Sequence, residues 1–318
     1  MPRQLLVEFT GQQITNYKQN RIRPIELAEK MGHSMDSKFV ETNGVRLNVV
    51  QAGPEDGPLI ILLHGFPEHS YSWRKLMPLL VSAGYRVWAP DQRGYNLSDK
   101  PQGIDSYRVD ELAADVVGLI DAANQQQAIL IGHDWGAGVA WRVASEYPER
   151  VSRMVVMNVP HGAVMKRFIR SNFRQLLKSW YIFFFQLPWL PEALARKDNW
   201  RMLVTTLKRT SHRGTFSNED FEVYRKAWSQ PGAIRSILNW YRAYLRRPPV
   251  APANPRISVP TMLIWGTQDK VLSSEMAQPS IDLCDHGRLV LLEDATHWVN
   301  HEKLEKVNEL IGEFLDSQ

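Results

Sequence analysis

The sequence predicts an α/β protein with a mostly parallel central sheet and an inserted set of helices. Two patterns indicate this fold. Short apolar runs alternate with amphipathic helical segments, which is typical of a parallel sheet with helices on both faces. After Pro160 the strand pattern stops, and it resumes at Thr261–Trp265. A chain of 318 residues with 44% hydrophobic residues is long enough to bury such a core.

The predicted elements begin near Lys38. Asn43 and Gly44, a dipeptide that favours a tight hairpin, separate two runs of β-strand composition. Buried strands then alternate with amphipathic helices. The predicted strands are Lys38–Thr42, Val45–Val50, Leu59–Leu63, Arg86–Ala89, Ala128–Ile131, Met154–Met157, Thr261–Trp265 and Leu289–Leu292, and the predicted helices outside the insertion are Ser72–Ser82, Val109–Ala123, Ala137–Glu146 and Leu304–Phe314.

These patterns divide the chain into three parts. Residues 1–36 form an N-terminal extension to which we assign no role. Residues 37–158 and 256–318 form the α/β core, and residues 159–255 form a helical cap. The cap is rich in aromatic residues and arginine, and its helical patterns are interrupted by prolines at Pro188, Pro191, Pro231 and the Pro248-Pro249 pair.

The charge is unevenly distributed. The chain has a net charge of +4, but residues 159–256 contain 18 Lys and Arg against 5 Asp and Glu, and the remainder contains 20 against 29. A basic region of this kind can bind nucleic acid, attract an anionic substrate, or form a solvated surface that faces an acidic domain. An isolated charge bias favours the solvated surface, so we predict no nucleic-acid partner.

The single cysteine, Cys284, excludes an intramolecular disulfide, so the fold needs no oxidising compartment. The first residues lack the apolar stretch of a signal peptide. The longest apolar runs, Leu59–Leu63 and Trp180–Phe185, are too short to span a bilayer. We therefore expect a cytoplasmic protein without an integral membrane segment.

A reactive carboxylate is predicted where the strand Ala128–Ile131 runs into Gly132-His133-Asp134-Trp135-Gly136. A strand, a tight turn and a helix hold the nucleophile of α/β-hydrolases, and glycines permit the sharp turn. The carboxylate of Asp134 is ionised at neutral pH and needs no base to attack an sp³ carbon. Attack on an epoxide or alkyl halide would leave an alkyl ester on Asp134. The turn alone is equally consistent with Asp134 as a helix N-cap.

Three further segments supply the partners of such a nucleophile. The segment His64-Gly65-Phe66-Pro67 follows a strand, where backbone N–H groups of Phe66 and Trp135 are expected to form an oxyanion hole. Asp269 and His297 each follow a later predicted strand, in the chain order nucleophile, acid, histidine. We interpret His297 as the base that activates water and Asp269 as the residue that orients it.

Together these motifs resemble the epoxide hydrolases of the α/β-hydrolase fold family, from about Phe39 to the C-terminus. The matching segments are His64-Gly65-Phe66-Pro67-Glu68, Asp91-Gln92-Arg93-Gly94-Tyr95, Gly132-His133-Asp134-Trp135-Gly136 and Thr296-His297-Trp298. The resemblance implies an α/β-hydrolase fold with a mostly parallel central sheet flanked by helices and a helical lid, or cap. It also implies hydrolysis of an epoxide to a vicinal diol through an ester on Asp134.

The resemblance further implies two lid tyrosines that activate the epoxide oxygen. Tyr181, followed by an aromatic run and Gln186, is similar to the first, and Tyr241 to the second. Ring opening generates an alkoxide far more basic than tyrosine, whose pKa is about 10, so two phenols can polarise the oxygen and donate a proton. Both rings are also compatible with a purely structural role, because tyrosine recurs in the cap at Tyr224 and Tyr244.

Two other functions share these residues. A haloalkane dehalogenase uses the same triad of Asp134, His297 and Asp269, but Phe66 and the lid tyrosines favour the epoxide. A fluoroacetate dehalogenase would be expected to place arginine beside the nucleophile, where this chain has Trp135 and Gly138. A non-catalytic ligand-binding member of the fold is the third alternative.

The sequence defines the substrate less precisely than it defines the reaction. Aromatic and aliphatic residues around Trp180–Leu190 suggest an apolar passage, and the basic cap is compatible with an anionic lipid epoxide. Styrene-oxide-like epoxides and glycidyl ethers fit equally well. We expect an apolar epoxide and water as the reactants, with no metal or organic cofactor, and the sequence leaves the oligomeric state open.

Overall fold

The computed structural model describes residues 35–250 and 254–317, so nearly all of the predicted N-terminal extension lies outside the described residues. Strands and helices alternate in the predicted order. The strands are β1 (Asp36–Thr42), β2 (Val45–Ala52), β3 (Leu59–Leu63), β4 (Arg86–Pro90), β5 (Ala128–His133), β6 (Val151–Met157), β7 (Thr261–Gly266) and β8 (Gly287–Leu292). The helices are α1 (Met77–Ser82), α2 (Val109–Ala122), α3 (Trp135–Glu146), α4 (Gly162–Ser171), α5 (Phe173–Lys178), α6 (Trp180–Phe184), α7 (Leu190–Thr210), α8 (Asn218–Trp228), α9 (Ala233–Arg246), α10 (Ala277–Ile281), α11 (Val299–Glu302) and α12 (Leu304–Asp316).

The strands form one sheet in the order β1-β2-β4-β3-β5-β6-β7-β8. The pairings of β1 with β2 and of β2 with β4 are antiparallel, and those from β4 to β8 are parallel. The predicted hairpin is confirmed, because Asn43 and Gly44 link β1 and β2 with φ angles of 41° and 73°. These positive angles match the turn that suits two right-twisted strands. The predicted mostly parallel sheet is therefore confirmed.

Helices cover both faces of the sheet. Along β3, Ile60 and Leu62 belong to the apolar cluster that includes Phe314 of α12, whereas Ile61 and Leu63 belong to the cluster on the opposite face. Successive side chains of a strand point to opposite faces, so a strand buried on both sides reads as a continuous apolar run. This explains why β3 has the bounds that the sequence predicts.

The predicted helix Ser72–Ser82 is wrong in its first half. The structure has a 3₁₀ turn at Ser70–Trp73 and a separate helix α1 that begins at Met77. Pro78 lies in the first turn of α1, where its missing N–H costs nothing. The amphipathic pattern therefore spans two short elements.

Between β6 and β7 the described residues form helices α4–α9, and these pack on loops at the carboxyl ends of the strands. The indole N–H of Trp228 donates to the carbonyl of Pro67 at 2.6 Å, and that of Trp240 donates to the carbonyl of Arg93 at 3.0 Å. Helix α7 is kinked where the residues from Lys197 to Trp200 leave helical geometry. Among the described helices, none is both long enough and apolar enough to cross a membrane.

Candidate active site

Asp134 lies at a sharp turn between β5 and α3. Its φ and ψ angles are 49° and −126°, a strained conformation for a residue other than glycine. The turn packs so closely that a Cβ on Gly136 would lie 2.0 Å from the carbonyl oxygen of Leu63, and one on Gly65 would lie 2.3 Å from the Cβ of Asp134. The Asp134 side chain makes no capping hydrogen bond to α3. Asp134 therefore occupies the N-cap position of α3 through its backbone carbonyl, which accepts from the N–H groups of Ala137 and Gly138, but its side chain does not cap the helix.

The two carboxylate oxygens of Asp134 have different partners. Oδ1 accepts a hydrogen bond from the backbone N–H of Phe66 at 2.7 Å, and Oδ2 lies 3.3 Å from Nε2 of His297. The N–H of Trp135, at the first position of α3, has no acceptor within its helix. Burial raises the pKa of Asp134, but the hydrogen bond and charge of His297 and the Phe66 N–H outweigh it, so the pKa falls below its ordinary value. The carboxylate is thus ionised at neutral pH.

His297 is held between two carboxylates. Its Nδ1 donates to Oδ2 of Asp269 at 2.8 Å, because a carboxylate can only accept. Asp269 is fixed in turn by the backbone N–H groups of Val271 and Leu272, which donate to its Oδ1 at 2.7 and 2.9 Å. Burial lowers the pKa of His297, but the negative charges of Asp269 and Asp134 outweigh burial and raise it to about 10. The two carboxylates therefore favour the protonated, imidazolium form of His297.

Asn158 is a site residue that the sequence analysis did not identify. Its Nδ2 donates to Oδ2 of Asp269 at 2.9 Å and to the carbonyl of Thr296 at 3.2 Å, and its Oδ1 accepts from the N–H of Gly266 at 3.4 Å. It therefore ties the loop of the acid to the loop of the histidine. Its position directly after β6 is the signal that was available, since the site loops of parallel sheets meet at the carboxyl ends of the strands.

A buried polar network lies behind His297, centred on Glu68. Oε1 of Glu68 accepts from the phenol of Tyr224 at 2.5 Å and from Nε2 of His301 at 2.8 Å. His133 lies between this carboxylate and the site, with Nδ1 3.8 Å from Oε2 and Nε2 2.8 Å from the carbonyl of His297. Burial raises the pKa of Glu68, but the two histidines and the phenol lower it to about 2. Glu68 thus joins a cap helix to the core.

The two predicted lid tyrosines lie beside the nucleophile. Tyr181 is on α6 and Tyr241 on α9, and their ring centroids are 5.8 Å apart. The ring of Tyr241 also packs on those of Trp135 and Phe66, at 5.1 and 5.3 Å. Burial and the negative charge of Asp134 raise the pKa of both phenols. Both phenols are therefore protonated, and the structure brings all the sequence-predicted site residues into one cluster.

The segment Asp91–Tyr95 directly follows β4 and supports the loop that leads to Phe66. The guanidinium of Arg93 donates to both oxygens of Asp115, at 2.8 and 2.6 Å. The side-chain amide of Gln92 donates to the carbonyl of His64 at 2.6 Å. The bond of Gln92 fixes the loop that precedes Phe66, and the bonds of Arg93 hold the segment on α2. This explains why the segment accompanies the nucleophile.

Comparisons with known proteins identify the fold family. Residues 58–304 match the family model described as alpha/beta hydrolase fold. The chain is 49% identical over 281 residues to the AB hydrolase superfamily protein YfhM of Bacillus subtilis (strain 168), covering 88% of this chain and 98% of that protein. It is 37% identical over 286 residues to epoxide hydrolase 1 of Caenorhabditis elegans, covering 88% of this chain and 70% of the relative.

A solved structure shows the same similarity. The Bacillus megaterium epoxide hydrolase in complex with an inhibitor superposes with a TM-score of 0.80 at 30% identity, and the match covers 88% of this chain and 100% of that one.

Proposed function

The chain belongs to the epoxide hydrolases of the α/β-hydrolase fold family, and we propose that it converts an epoxide to a vicinal diol through a covalent ester on Asp134. One observation carries this proposal. The ionised carboxylate of Asp134 is held at Oδ1 by the Phe66 N–H and lies within 3.3 Å of His297 at Oδ2, and two protonated phenols lie beside it. A nucleophile, acids and a base therefore share one site.

Ring opening is the first step. Oδ2 of Asp134 attacks an epoxide carbon, an ester C–O bond forms, and the C–O bond of the ring breaks. The released oxygen takes a proton from Tyr181 or Tyr241. Esterification removes the negative charge that helps to raise the phenol pKa, so these phenols become better donors as the alkoxide develops.

The proton balance involves His297. The phenol that has given up its proton regains one from the imidazolium of His297, directly or through solvent. His297 holds this proton in the resting site because Asp134 and Asp269 are both negatively charged. Once Asp134 is a neutral ester, one of these charges is gone and the pKa of His297 falls. Ester formation thus converts His297 into the base that the next step requires.

Hydrolysis of the ester is the second step. Neutral His297 accepts a proton from water, and the hydroxide attacks the ester carbonyl carbon. The negative charge develops on Oδ1, where the N–H groups of Phe66 and Trp135 can stabilise it. Collapse expels the diol oxygen, which takes the proton of the new carboxylic acid. The site returns to the ion pair of Asp134 and His297.

Isotope labelling in a single turnover tests the ester. With enzyme in excess over styrene oxide in H₂¹⁸O, the first diol should contain no ¹⁸O, and the label should appear in the peptide that contains Asp134. Asp134→Asn should release no diol, and Asp294→Asn, a change at an exposed carboxylate, should behave like the wild type. Label in the first diol would show direct attack by water and would overturn the proposal. Turnover of 1-chlorohexane but not of the epoxide would identify a dehalogenase instead.

A further inference from the structure

The cap carries an exposed apolar surface that the proposed reaction does not use. Seven of the twelve exposed large hydrophobic side chains in the described residues lie between positions 173 and 194. We call this set the apolar cap patch, and its members are Phe173, Leu177, Trp180, Phe183, Leu187, Trp189 and Leu194. Trp189 and Phe173 are 71% and 70% exposed. Single exposed hydrophobic residues are ordinary, whereas seven of them within one stretch of the cap point to an interaction surface.

Basic side chains flank the apolar cap patch in the chain. The exposed ones are Lys166, Arg167, Arg170, Arg196 and Lys197, which we call the basic rim. The only acidic residue from 162 to 197 is Glu192, and it is buried and paired with Arg242 at 2.7 Å. Glu275 reaches the edge of this surface through a hydrogen bond from Asn172. None of the exposed side chains of this segment is therefore acidic.

Helix α5, which carries Phe173 and Leu177 of the apolar cap patch, is held beside the candidate active site. The ammonium group of Lys178 donates to the carbonyl of Asp269 at 3.0 Å, and the backbone N–H of Ser273 donates to Oε1 of Gln175 at 2.9 Å. Helix α6 is exposed at Trp180 and Phe183 and carries Tyr181 between them. Contact at this surface would therefore bring its partner close to the site.

We propose that the apolar cap patch and the basic rim dock the enzyme on the surface of an anionic phospholipid bilayer. Tryptophan and phenylalanine are suited to the boundary between headgroups and acyl chains, and lysine and arginine are attracted to anionic headgroups. A second copy of the chain suits the surface less well, because a symmetric contact would bring two basic rims together. The docking, taken together with the proposed function on which this step rests, identifies epoxides dissolved in lipid as the substrate class.

Flotation with phospholipid vesicles tests the docking. The full chain should bind vesicles of phosphatidylcholine mixed with phosphatidylglycerol, and binding should weaken as salt is added. Phe173→Gln/Leu177→Gln should lower the partition coefficient on the order of tenfold. Lys166→Gln/Arg170→Gln should lower it by about fivefold for each charge removed. Leu291→Gln, at a residue 48% exposed on the edge strand β8, is the matched control and should bind like the wild type.

Three results would overturn the docking. The first is that the wild type does not bind the anionic vesicles, and the second is that Phe173→Gln/Leu177→Gln binds them equally well. The third is a wild-type dimer in light scattering that only this double variant converts to a monomer, because the patch is then a subunit interface. Thermal unfolding and turnover of soluble styrene oxide should be unchanged in every variant. Wild-type vesicle binding without turnover of either styrene oxide or an epoxide dissolved in the vesicles would refute the proposed function and leave the docking supported.

Discussion

The substitution Asp269→Asn removes one charge from the site and reverses the hydrogen bonding of His297. In the wild type, Oδ2 of Asp269 accepts from His297 and Asn158, and Oδ1 accepts two backbone N–H groups. An asparagine that keeps the backbone bonds turns its amide NH₂ toward His297. Nδ1 of His297 must then accept, and its proton moves to Nε2, which faces Asp134. In this tautomer His297 cannot take a proton from water.

The size of the effect follows from the distance between the two groups. At an effective dielectric constant of about 20, unit charges 2.8 Å apart interact by about 6 kcal/mol, and spreading the imidazolium charge over its ring reduces this to about 4 kcal/mol. Because about 1.4 kcal/mol corresponds to a tenfold change in rate, ester hydrolysis should slow by about 10³-fold. Ring opening depends on Asp134 and the phenols, so it should slow much less. The negative charge of Asp269 is also the largest of the effects that raise the pKa of His297. The pKa of His297 should therefore fall in the variant.

Rapid mixing followed by intact-mass spectrometry measures both steps. With Asp269→Asn, a species heavier by the mass of the epoxide should accumulate within the time of one wild-type turnover, and diol release should be slow. Asp294→Asn removes an exposed carboxylate and should leave both rates unchanged. Equal slowing of ring opening and hydrolysis, with no adduct, would refute the assignment of Asp269 and His297 to the second step. Unfolding by heat checks that the variant keeps its fold.

Three other outcomes are expected. Tyr181→Phe and Tyr241→Phe should each slow adduct formation by about tenfold, and the double variant should slow it by about 10³-fold. Stopped-flow fluorescence measures these rates, and unchanged rates would assign both rings a structural role. Glu68→Gln should lower the free energy of unfolding by about 3 kcal/mol in denaturant titrations, because it breaks a buried charged network, whereas Tyr224→Phe should cost about 2 kcal/mol. The contribution of the Glu68 carboxylate to the free energy of unfolding is present above its unfolded pKa near 4.5 and is lost as the pH falls through its folded pKa of about 2. The free energies of unfolding of the wild type and Glu68→Gln should therefore converge in acid. A difference that does not change with pH would contradict this.

The chemistry-bearing motifs were predictable because each depends on short-range constraints. The strand, glycine turn and helix around Asp134 are adjacent in the chain, and the close packing at Gly136 and Gly65 explains why small residues occur there. Phe66 follows a buried strand, and the carboxyl ends of parallel strands meet at one edge. The roles assigned to these residues remain proposals, whereas their proximity is a property of the fold.

Other site residues could not be predicted because their contacts join distant parts of the chain. Glu68 meets Tyr224 and His301 across 156 and 233 residues of sequence, and no periodicity marks such pairs. Asn158 carries no motif of its own, and its position directly after β6 does not by itself show that its amide joins Asp269 to the loop of His297.

The sequence alone determined the order of the strands in the chain, the hairpin at Asn43-Gly44 and the nucleophile turn, since local sterics and periodic burial specify these features. Only the tertiary structure decided which apolar side chains of the cap are buried and which are exposed. In the run Trp180–Phe185, Ile182 and Phe185 are buried, whereas Trp180 and Phe183 are exposed. A uniformly apolar run carries no periodic signal, so its inner and outer faces are set by the elements that pack against it.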